Sequence, residues 1–378
     1  MATRPLETLT AAAALALTLA APALAETSFI ANSFYNAEHP LSKYTYVEWA
    51  EALEEASGGE LKPEVYTGTV LLAPRATLQG IRDNIVQVGN HPAVYTPSEM
   101  PVAMATQELG FNYEDAVAMV LAVTEFSMEN PTQLAEWEAN DIVYLGGFAT
   151  PPYIMFCREP VTNLEEIKGK RLRTAGSTVS QWAEEVGAIP VNVPSSEMYS
   201  GLDRGTLDCA TNAGSDLIDR SLWEVAPHTT TLGTGMYYTG PIWGFNTDFW
   251  SGLTDEQRRI IMDVTARAIA RLGINYTKKA DDALVAAAEK GNTIHEPGPD
   301  LMASVEAFRE KALADVYKAA EEKYGLENGK EVIDAFRATY DKWVEALEGV
   351  DRTDEDALYA LLQDEVFGPL DESSYGVK

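Results

Sequence analysis

The sequence predicts an α/β protein of two lobes, with a long helix that bridges them and further C-terminal helices. Three observations support this class: a length of 378 residues, strand and helix patterns that alternate in two separate stretches, and one helical pattern too long for a single lobe. Because domains usually contain roughly 100–200 residues, the length favours two lobes. A hydrophobic fraction of 46% is typical of a globular chain with a large core.

The first β/α unit lies near the start of the chain. Strand-like runs alternate with helical patterns in the order Thr27–Ala31, Tyr44–Ala56, Leu61–Tyr66, Pro74–Ile85 and Val86–Val88. In the second helical pattern Leu78, Ile81 and Ile85 share one face. This order predicts parallel strands with helices on both faces of the sheet.

A second unit of similar plan begins near Gly146. Its predicted elements are the strands Tyr153–Cys157, Arg171–Thr174, Val191–Val193 and Leu207–Ala210, and the helices Leu164–Gly169, Ser177–Val186 and Ser195–Leu202. Ser177 and either Ser195 or Ser196 are expected to act as helix N-caps, and Gly187 and Gly205 to end those helices. Trp182 is expected in the core.

The long helical pattern starts at a capping-box sequence, Thr254-Asp255-Glu256-Gln257, and runs to about Lys290. A helix of that length spans roughly 55 Å at about 1.5 Å per residue. It is therefore expected to cross both lobes. Further amphipathic helices follow, with breaks near Gly325–Gly329 and Gly349–Thr353.

Residues 1–25 carry the features of a signal peptide. Arg4 precedes an Ala/Leu-rich run, and Ala23-Leu24-Ala25 gives the small-x-small pattern expected before a cleavage site. An uncleaved anchor is the alternative, although the run is short for a membrane span. We expect a soluble exported chain that starts at Glu26, lies in the periplasm and has no direct lipid anchor.

The predicted organisation has five parts. Residues 1–25 are the signal peptide, 26–148 the first part of lobe I, 149–239 lobe II, 240–298 the return to lobe I with the bridging helix, and 299–378 the C-terminal helices packing on both lobes. Hinges are expected near Gly146–Pro152 and Tyr237–Gly244.

Composition excludes several functions. The chain has 28 Lys+Arg against 58 Asp+Glu, a formal charge of −30, and so acidic a surface repels nucleic acids and anionic lipids. The charge can also serve solubility alone. HExxH, P-loop, G-x-S-x-G and complete G-x-G-x-x-G motifs are absent from the sequence, and its histidines lack metal-spaced partners, so we expect no enzyme, metal or cofactor. Cys157 and Cys209 could pair in an oxidising compartment, but the sequence leaves this open.

Three motifs occur in order: Asn163–Arg173 (NLEEIKGKRLR), Gly187–Val191 (GAIPV) and Ser196–Asp208 (SEMYSGLDRGTLD). With Glu38-His39-Pro40, Ser57-Gly58-Gly59 and the stretch from Asn246 to Glu256, they resemble solute-binding proteins of tripartite ATP-independent periplasmic (TRAP) transporters, of the dicarboxylate-binding DctP type. The resemblance implies a two-lobed periplasmic-binding-protein clamp. It also implies a receptor that captures a small organic carboxylate and delivers it to small and large TRAP membrane subunits. A periplasmic sensor or an enzyme on the same clamp fold is the alternative.

Some positions depart from the family pattern. Cys209 replaces the usual glycine after Asp208. Asn212 matches the asparagine of the family's E-N-P motif, but this chain lacks the Glu and the Pro on either side of it. Tyr153 falls where sialic-acid-binding members carry a second arginine, so a sialic acid ligand is disfavoured. The tail beyond Asp341 is long, as in members that bind keto acids as dimers, and a homodimer is therefore a partner to consider.

Arg173 is the main candidate for ligand binding. It is expected at the end of a strand, before Gly176-Ser177-Thr178 opens a helix, where a guanidinium and helix N–H groups can bind a carboxylate together. Arg171 is expected to point to the opposite side of the strand. A structural ion pair is the alternative role for Arg173, and the matched motif favours ligand contact.

The other candidate ligand-binding residues are Asn212, Tyr153, His91, Asn32, Phe34, Tyr237 and Trp243. Asn212 can donate to the same carboxylate or serve only in a turn. The three from the first lobe are expected to face the cleft, although His91 can also be a turn residue. Tyr237 and Trp243 flank the return crossover, where an aromatic ring forms either a pocket wall or hinge packing.

Overall fold

The computed structural model describes residues 26–378, so the predicted signal peptide at residues 1–25 lies outside the described residues. Eleven strands in this part of the chain form two separate sheets, one in each lobe. The strands are β1 (Thr27–Ser33), β2 (Leu61–Thr67), β3 (Val88–Gly89), β4 (Ile142–Tyr144), β5 (Ile154–Cys157), β6 (Arg171–Arg173), β7 (Ile189–Val191), β8 (Cys209–Asn212), β9 (His228–Thr230), β10 (Gly244–Asn246) and β11 (Thr293–His295).

The sheet of lobe I has the order β2-β1-β3-β10-β4. Strands β1, β2 and β3 are parallel, which confirms the topology that the first β/α pattern predicts. Strand β10 enters antiparallel between β3 and β4, because the chain reaches it from the other lobe. The sheet is therefore mixed.

The sheet of lobe II has the order β11-β9-β5-β8-β6-β7. Strands β6, β7 and β8 are parallel, whereas β5 is antiparallel to both of its neighbours. Cys157 and Cys209 lie directly opposite each other on β5 and β8. They form a disulfide, which closes the question that the sequence leaves open.

The helices surround both sheets. They are α1 (Pro40–Ser42), α2 (Glu48–Ala56), α3 (Thr77–Arg82), α4 (Pro101–Gln107), α5 (Ala116–Glu129), α6 (Pro131–Ala139), α7 (Leu164–Ile167), α8 (Ser177–Glu185), α9 (Met198–Asp203), α10 (Asp216–Asp219), α11 (Leu222–Val225), α12 (Thr247–Gly252), α13 (Asp255–Glu289), α14 (Pro299–Lys318), α15 (Gly329–Ala346) and α16 (Glu355–Leu362). Within residues 26–378, no helix is both long and apolar enough to cross a bilayer.

Helix α13 is the predicted long helix. Thr254 caps it with the full capping box, since its side chain accepts from the N–H of Gln257 and the Gln257 side chain accepts from the N–H of Thr254. The helix contacts α2 and α5 in lobe I and α10 and β11 in lobe II. It therefore bridges the lobes.

The C-terminal helices contact both lobes. Helix α14 buries Leu301 and Phe308 in the core of lobe II, and α15 packs along α5 and buries Phe336 in the core of lobe I. Helix α16 packs on α13.

Two crossover segments join the sheets, residues 145–153 and 231–243, and they are hydrogen-bonded to each other. The Thr150 N–H donates to the Tyr237 carbonyl (2.9 Å), and the Ile242 N–H donates to the Gly146 carbonyl (3.0 Å). Gly240 has a φ of +96°, and a Cβ there would lie 2.1 Å from the His91 carbonyl oxygen. Only glycine permits this close approach of the crossover to lobe I.

Several local predictions are wrong. Ile85 lies beyond the end of α3 and is 50% exposed, because the chain turns at Asn84, which has a φ of +55°. Ser177 and Ser195 make no capping hydrogen bond, since their hydroxyls contact other side chains described below. Strand β11 lies inside the segment 240–298 that we expect to return to lobe I, but it pairs with β9 in the sheet of lobe II.

Candidate functional site

An enclosed cavity lies between the lobes, where strands β6 and β8 end. Its volume is about 20 Å³, far below the roughly 300–1,000 Å³ of small-molecule sites, so the lobes must move apart to hold a ligand here. Both lobes and both crossovers contribute to its wall. The lining residues are Tyr35, His39, Pro92, Val94, Tyr95, Thr150, Tyr153, Arg173, Ala175, Ser195, Asn212, Tyr237 and Tyr276.

Arg173 is the charged side chain that lines this cavity with free donors. It is the last residue of β6 and is 2% exposed. Its Nε donates to the Val193 carbonyl (3.1 Å), and one Nη1 hydrogen donates to the Thr211 carbonyl (3.0 Å). A guanidinium has five N–H donors, so three remain without an acceptor among the described residues. Those three can bind a carboxylate.

Asn212 is the last residue of β8, which is the parallel neighbour of β6. Because the carboxyl ends of parallel strands meet at one edge of a sheet, Asn212 and Arg173 reach the same cavity. The Asn212 Nδ2 donates to Asp216 Oδ2 (2.7 Å). Its other contact is with Met198 Sδ (3.7 Å), a weak acceptor that a ligand oxygen can replace.

Asp216 connects the two lobes behind the cavity wall. Its Oδ1 lies 3.2 Å from Nε2 of His39, which belongs to lobe I. The Nδ1 of His39 accepts from the Leu41 N–H (3.1 Å), so Nε2 carries the proton that faces Asp216. Burial lowers the pKa of His39, and the ring is neutral at pH 7.

Arg220 pairs with the same carboxylate. Its Nε donates to Asp216 Oδ2 (3.1 Å), and its Nη2 donates to the Ser195 hydroxyl (3.1 Å). Burial opposes ionisation of Asp216, but Arg220 and then His39 hold the pKa of its carboxyl below the usual value. The guanidinium also lies 5.2 Å from the centre of the Tyr35 ring, a cation–π contact. Asp216 and Arg220 are thus a charged pair next to the cavity.

Five tyrosines form much of the cavity wall: Tyr35, Tyr95, Tyr153, Tyr237 and Tyr276. Burial raises the pKa of Tyr153 and of Tyr237, so both keep their hydroxyl hydrogens at neutral pH. The Tyr237 oxygen accepts from the Val94 N–H (2.9 Å) and lies 3.2 Å from the Thr239 hydroxyl. The wall is therefore aromatic, with neutral hydroxyl groups at its polar points.

The start of helix α8, which we expect to help bind the ligand carboxylate, instead binds a carboxylate of the protein. The carboxylate of Glu108, 6% exposed, accepts hydrogen bonds from the hydroxyls of Ser177 and Thr178. Lys323 compensates its charge at 2.8 Å. A carboxylate of the protein therefore already lies at this helix N-terminus.

Of the eight predicted ligand-binding residues, the structure brings Arg173, Asn212, Tyr153 and Tyr237 together in the cavity wall. Phe34 and Trp243 do not line it. The Phe34 ring packs behind the wall, 4.2 Å from the Tyr35 ring centre. Trp243 packs against Trp49, with ring centres 6.2 Å apart. Trp243 thus lies in the core of lobe I, and a ligand contact for Trp243 or Phe34 stays a prediction.

Asn32 and His91 also lie outside the lining, and both are fully buried in lobe I. Asn32 is in the middle of the sheet, paired with Gly89 on one side and Tyr66 on the other. His91 Nε2 lies 2.8 Å from the Thr96 hydroxyl, and burial lowers the pKa of His91 to about 3. A ligand contact at either residue stays a prediction.

Sequence reasoning missed several residues of the site, namely Tyr35, His39, Tyr95, Ser195, Asp216, Arg220 and Tyr276. Asn212, Asp216 and Arg220 follow one another at intervals of four, and this polar spacing could have indicated a shared helical face. His39 enters the sequence argument only as part of a motif. The sequence offers no signal that distinguishes a tyrosine of the cavity wall from a tyrosine of the hydrophobic core.

Comparison with known proteins identifies the family. The bacterial extracellular solute-binding proteins of family 7 (DctP) match residues 31–323. The chain belongs to this family. It is a TRAP solute-binding protein, as the motifs indicate.

Two relatives agree with this assignment. The C4-dicarboxylate-binding periplasmic protein DctP of Rhodobacter capsulatus is 26% identical over 336 residues, which is 86% of this chain and 96% of that protein. The ectoine-binding periplasmic protein TeaA of Halomonas elongata is 27% identical over 48% of this chain and 52% of its own.

Solved structures share the fold of this TRAP solute-binding protein. A marine metagenome TRAP solute-binding protein specific for aromatic acid ligands has a TM-score of 0.75 at 24% identity, over 84% of this chain and 99% of its own. A TRAP solute-binding protein from Rhodoferax ferrireducens T118, in complex with copurified benzoate, has a TM-score of 0.74 at 19% identity, over 85% and 99%. These likenesses confirm the two-lobed fold with its long helix.

Proposed function

We propose that this TRAP solute-binding protein captures a small organic carboxylate in the periplasm and delivers it to the small and large membrane subunits of a TRAP transporter. One observation carries the ligand class: Arg173 is buried in the wall of an enclosed interlobe cavity and keeps three N–H donors free. Such a guanidinium needs an anion, and a planar carboxylate matches its fork.

The relatives support the same chemistry. The R. capsulatus protein is described as binding C4-dicarboxylates, the marine protein as specific for aromatic acids, and the Rhodoferax protein was solved with benzoate. Their ligands differ in size and shape but share the carboxylate. The family and these relatives are binding proteins, so we propose that the chain binds its ligand without transforming it.

Substitution of Arg173 tests the proposal. Removing one partner of a desolvated charge pair typically costs about 2–5 kcal/mol, roughly 30- to several-thousand-fold in affinity. Arg173→Ala should weaken carboxylate binding within that range, as measured by calorimetry. Arg173→Lys keeps the charge but loses the planar fork, so its loss should lie near the lower end of the range.

Arg171→Ala is the matched control, because Arg171 lies two positions away on the same strand and pairs with Asp208 outside the cavity. It should leave affinity nearly unchanged. The amide analogue of the bound acid should bind poorly to the wild type. The binding free energy lost with the amide and that lost in Arg173→Ala should not add when the two changes are combined, since both remove the same contact. Full additivity would show that Arg173 acts elsewhere.

A further inference from the structure

The charges next to the cavity leave one positive charge uncompensated. Arg173 and Arg220 are cationic, and Asp216 is anionic and bonded to Arg220. His39 is neutral because burial lowers its pKa. Farther out, Asp219 is balanced by Lys279 at 2.8 Å. Among the described residues, the site thus offers a ligand a single net positive charge, inside a protein whose total charge is strongly negative.

A second carboxylate on the ligand would lack a cationic partner. Beyond Arg173 the polar lining groups are hydroxyls, an amide and a neutral imidazole. A carboxylate that leaves water for such an enclosed site needs an opposite charge to offset its lost hydration. Arg220 could supply one, since its Nη2 reaches the Ser195 hydroxyl in the wall. Asp216, which is 1% exposed, already neutralises it.

We propose that the cavity selects small monocarboxylates and rejects dicarboxylates, and that Asp216 sets this preference by neutralising Arg220. The inference rests on the proposed function, because it assumes that Arg173 binds the first carboxylate. It separates this chain from relatives described as binding C4-dicarboxylates.

The test compares acids of equal shape and different charge. Thermal-shift and calorimetric screens at pH 7.5 would cover monocarboxylates (propanoate, lactate, pyruvate, benzoate, 3-hydroxybenzoate), diacids (malonate, succinate, malate, isophthalate) and the monoamides succinamate and 3-carbamoylbenzoate. We expect binding by at least one monocarboxylate. We also expect each monoamide with detectable affinity to bind at least tenfold tighter than its isosteric diacid.

Two variants change the local charge in opposite directions. Asp216→Asn frees the charge of Arg220 and should raise diacid affinity relative to the monocarboxylate by at least tenfold. Arg220→Gln leaves Asp216 uncompensated and should weaken monocarboxylate binding by at least tenfold. Asp208→Asn is the matched control, since Asp208 pairs with Arg171 outside the cavity. Circular dichroism would confirm that each variant is folded.

The outcomes separate this inference from the proposed function. Diacids that bind as tightly as monocarboxylates would overturn the inference while leaving carboxylate capture intact. If no acid of either class binds, the proposed function fails and the inference fails with it. If the folded variants of Asp216 and Arg220 change the affinities in the same direction, the pair has a structural role only. Should Asp216→Asn fail to fold, the comparison of monoamides with diacids on the wild type and the monocarboxylate affinity of Arg220→Gln still test the inference.

Discussion

Arg171 and Arg173 show how far a single residue can be interpreted from sequence. Alternation along a strand places their side chains on opposite sides, and the structure confirms this: Arg171 bonds to Asp208 at the surface, whereas Arg173 is buried. The same rule says nothing about partners that lie far apart in the chain. His39 and Asp216 meet only because the lobes close on each other, and no local pattern encodes that contact.

Glu136 is a buried carboxyl outside the ligand cavity. It accepts hydrogen bonds from the N–H groups of Val102 (2.5 Å) and Ala103 (3.1 Å) at the start of α4. Burial raises its pKa from 4.5 to about 7. The folded protein therefore holds a proton at Glu136 that the unfolded chain releases between these two pH values.

This raised pKa gives a stability prediction with a definite sign. The stabilisation from protonated Glu136 is fully present below pH 4.5 and is lost as the pH rises through 7, so the contribution should fall by roughly 2 kcal/mol between pH 5.5 and pH 8. Urea unfolding of the wild type and of Glu136→Gln at both pH values measures it. The difference in unfolding free energy between the two proteins should shrink by that amount at pH 8; an equal difference at both pH values would contradict the assignment.

At the scale of elements, the best predictions came from signals complete within a few residues. The capping box at Thr254 correctly gave the start of α13, because its two reciprocal hydrogen bonds involve residues three apart. Strand β11 was missed because three residues of an edge strand carry no periodicity of their own. Its pairing with β9 depends on where α13 ends in the folded protein, and the local sequence does not encode that position.

The disulfide between β5 and β8 stabilises lobe II. Both cysteines are about 1% exposed, and the bridge links residues 52 positions apart. Closing a loop of that length restricts the unfolded chain, and removal of such a bridge typically costs about 2–4 kcal/mol. The double variant Cys157→Ala/Cys209→Ala should therefore unfold at lower denaturant concentration by that free energy.

Ligand affinity of the same double variant should change little, because Cys209 lies at the opposite end of β8 from Asn212. A reducing agent should shift the unfolding of the wild type and leave the alanine variant unaffected. Equal denaturation midpoints for the two oxidised proteins would show that the bridge adds no stability.

At the scale of the whole molecule, residues of both lobes line the cavity, and its volume is only about 20 Å³, so the lobes must separate to admit a carboxylate ligand. The paired crossovers at residues 145–153 and 231–243 are the chain segments that can bend. They contain the predicted hinge Gly146–Pro152 and all of the predicted hinge Tyr237–Gly244 except Gly244, which belongs to β10. Small-angle scattering should show a smaller radius of gyration with a saturating ligand than without one. The homodimer stays a prediction, and the C-terminal helices that suggested it pack on their own chain.

Lys279 is placed to hold the lobes together from the bridging helix. Its Nζ lies 2.8 Å from Asp219 Oδ1 in lobe II and donates to the Glu38 carbonyl in lobe I. Among residues 26–378, Lys278, the preceding residue, pairs only with Asp282 on its own helix and is 67% exposed. The two lysines thus offer a matched pair in which one crosses the cleft and the other does not.

Lys279→Met should therefore lower the fraction of closed protein, whereas Lys278→Met should not. A partly exposed ion pair contributes about 1 kcal/mol at most, and the apparent dissociation constant rises as the binding-competent fraction falls. We expect the Lys279 variant to bind its carboxylate about fivefold more weakly by calorimetry and to show a larger radius of gyration when free. Ligand saturation should restore the wild-type radius, because binding energy closes the lobes again. If both lysine variants bind and scatter like the wild type, the cleft is held closed by the contacts around Asp216 alone.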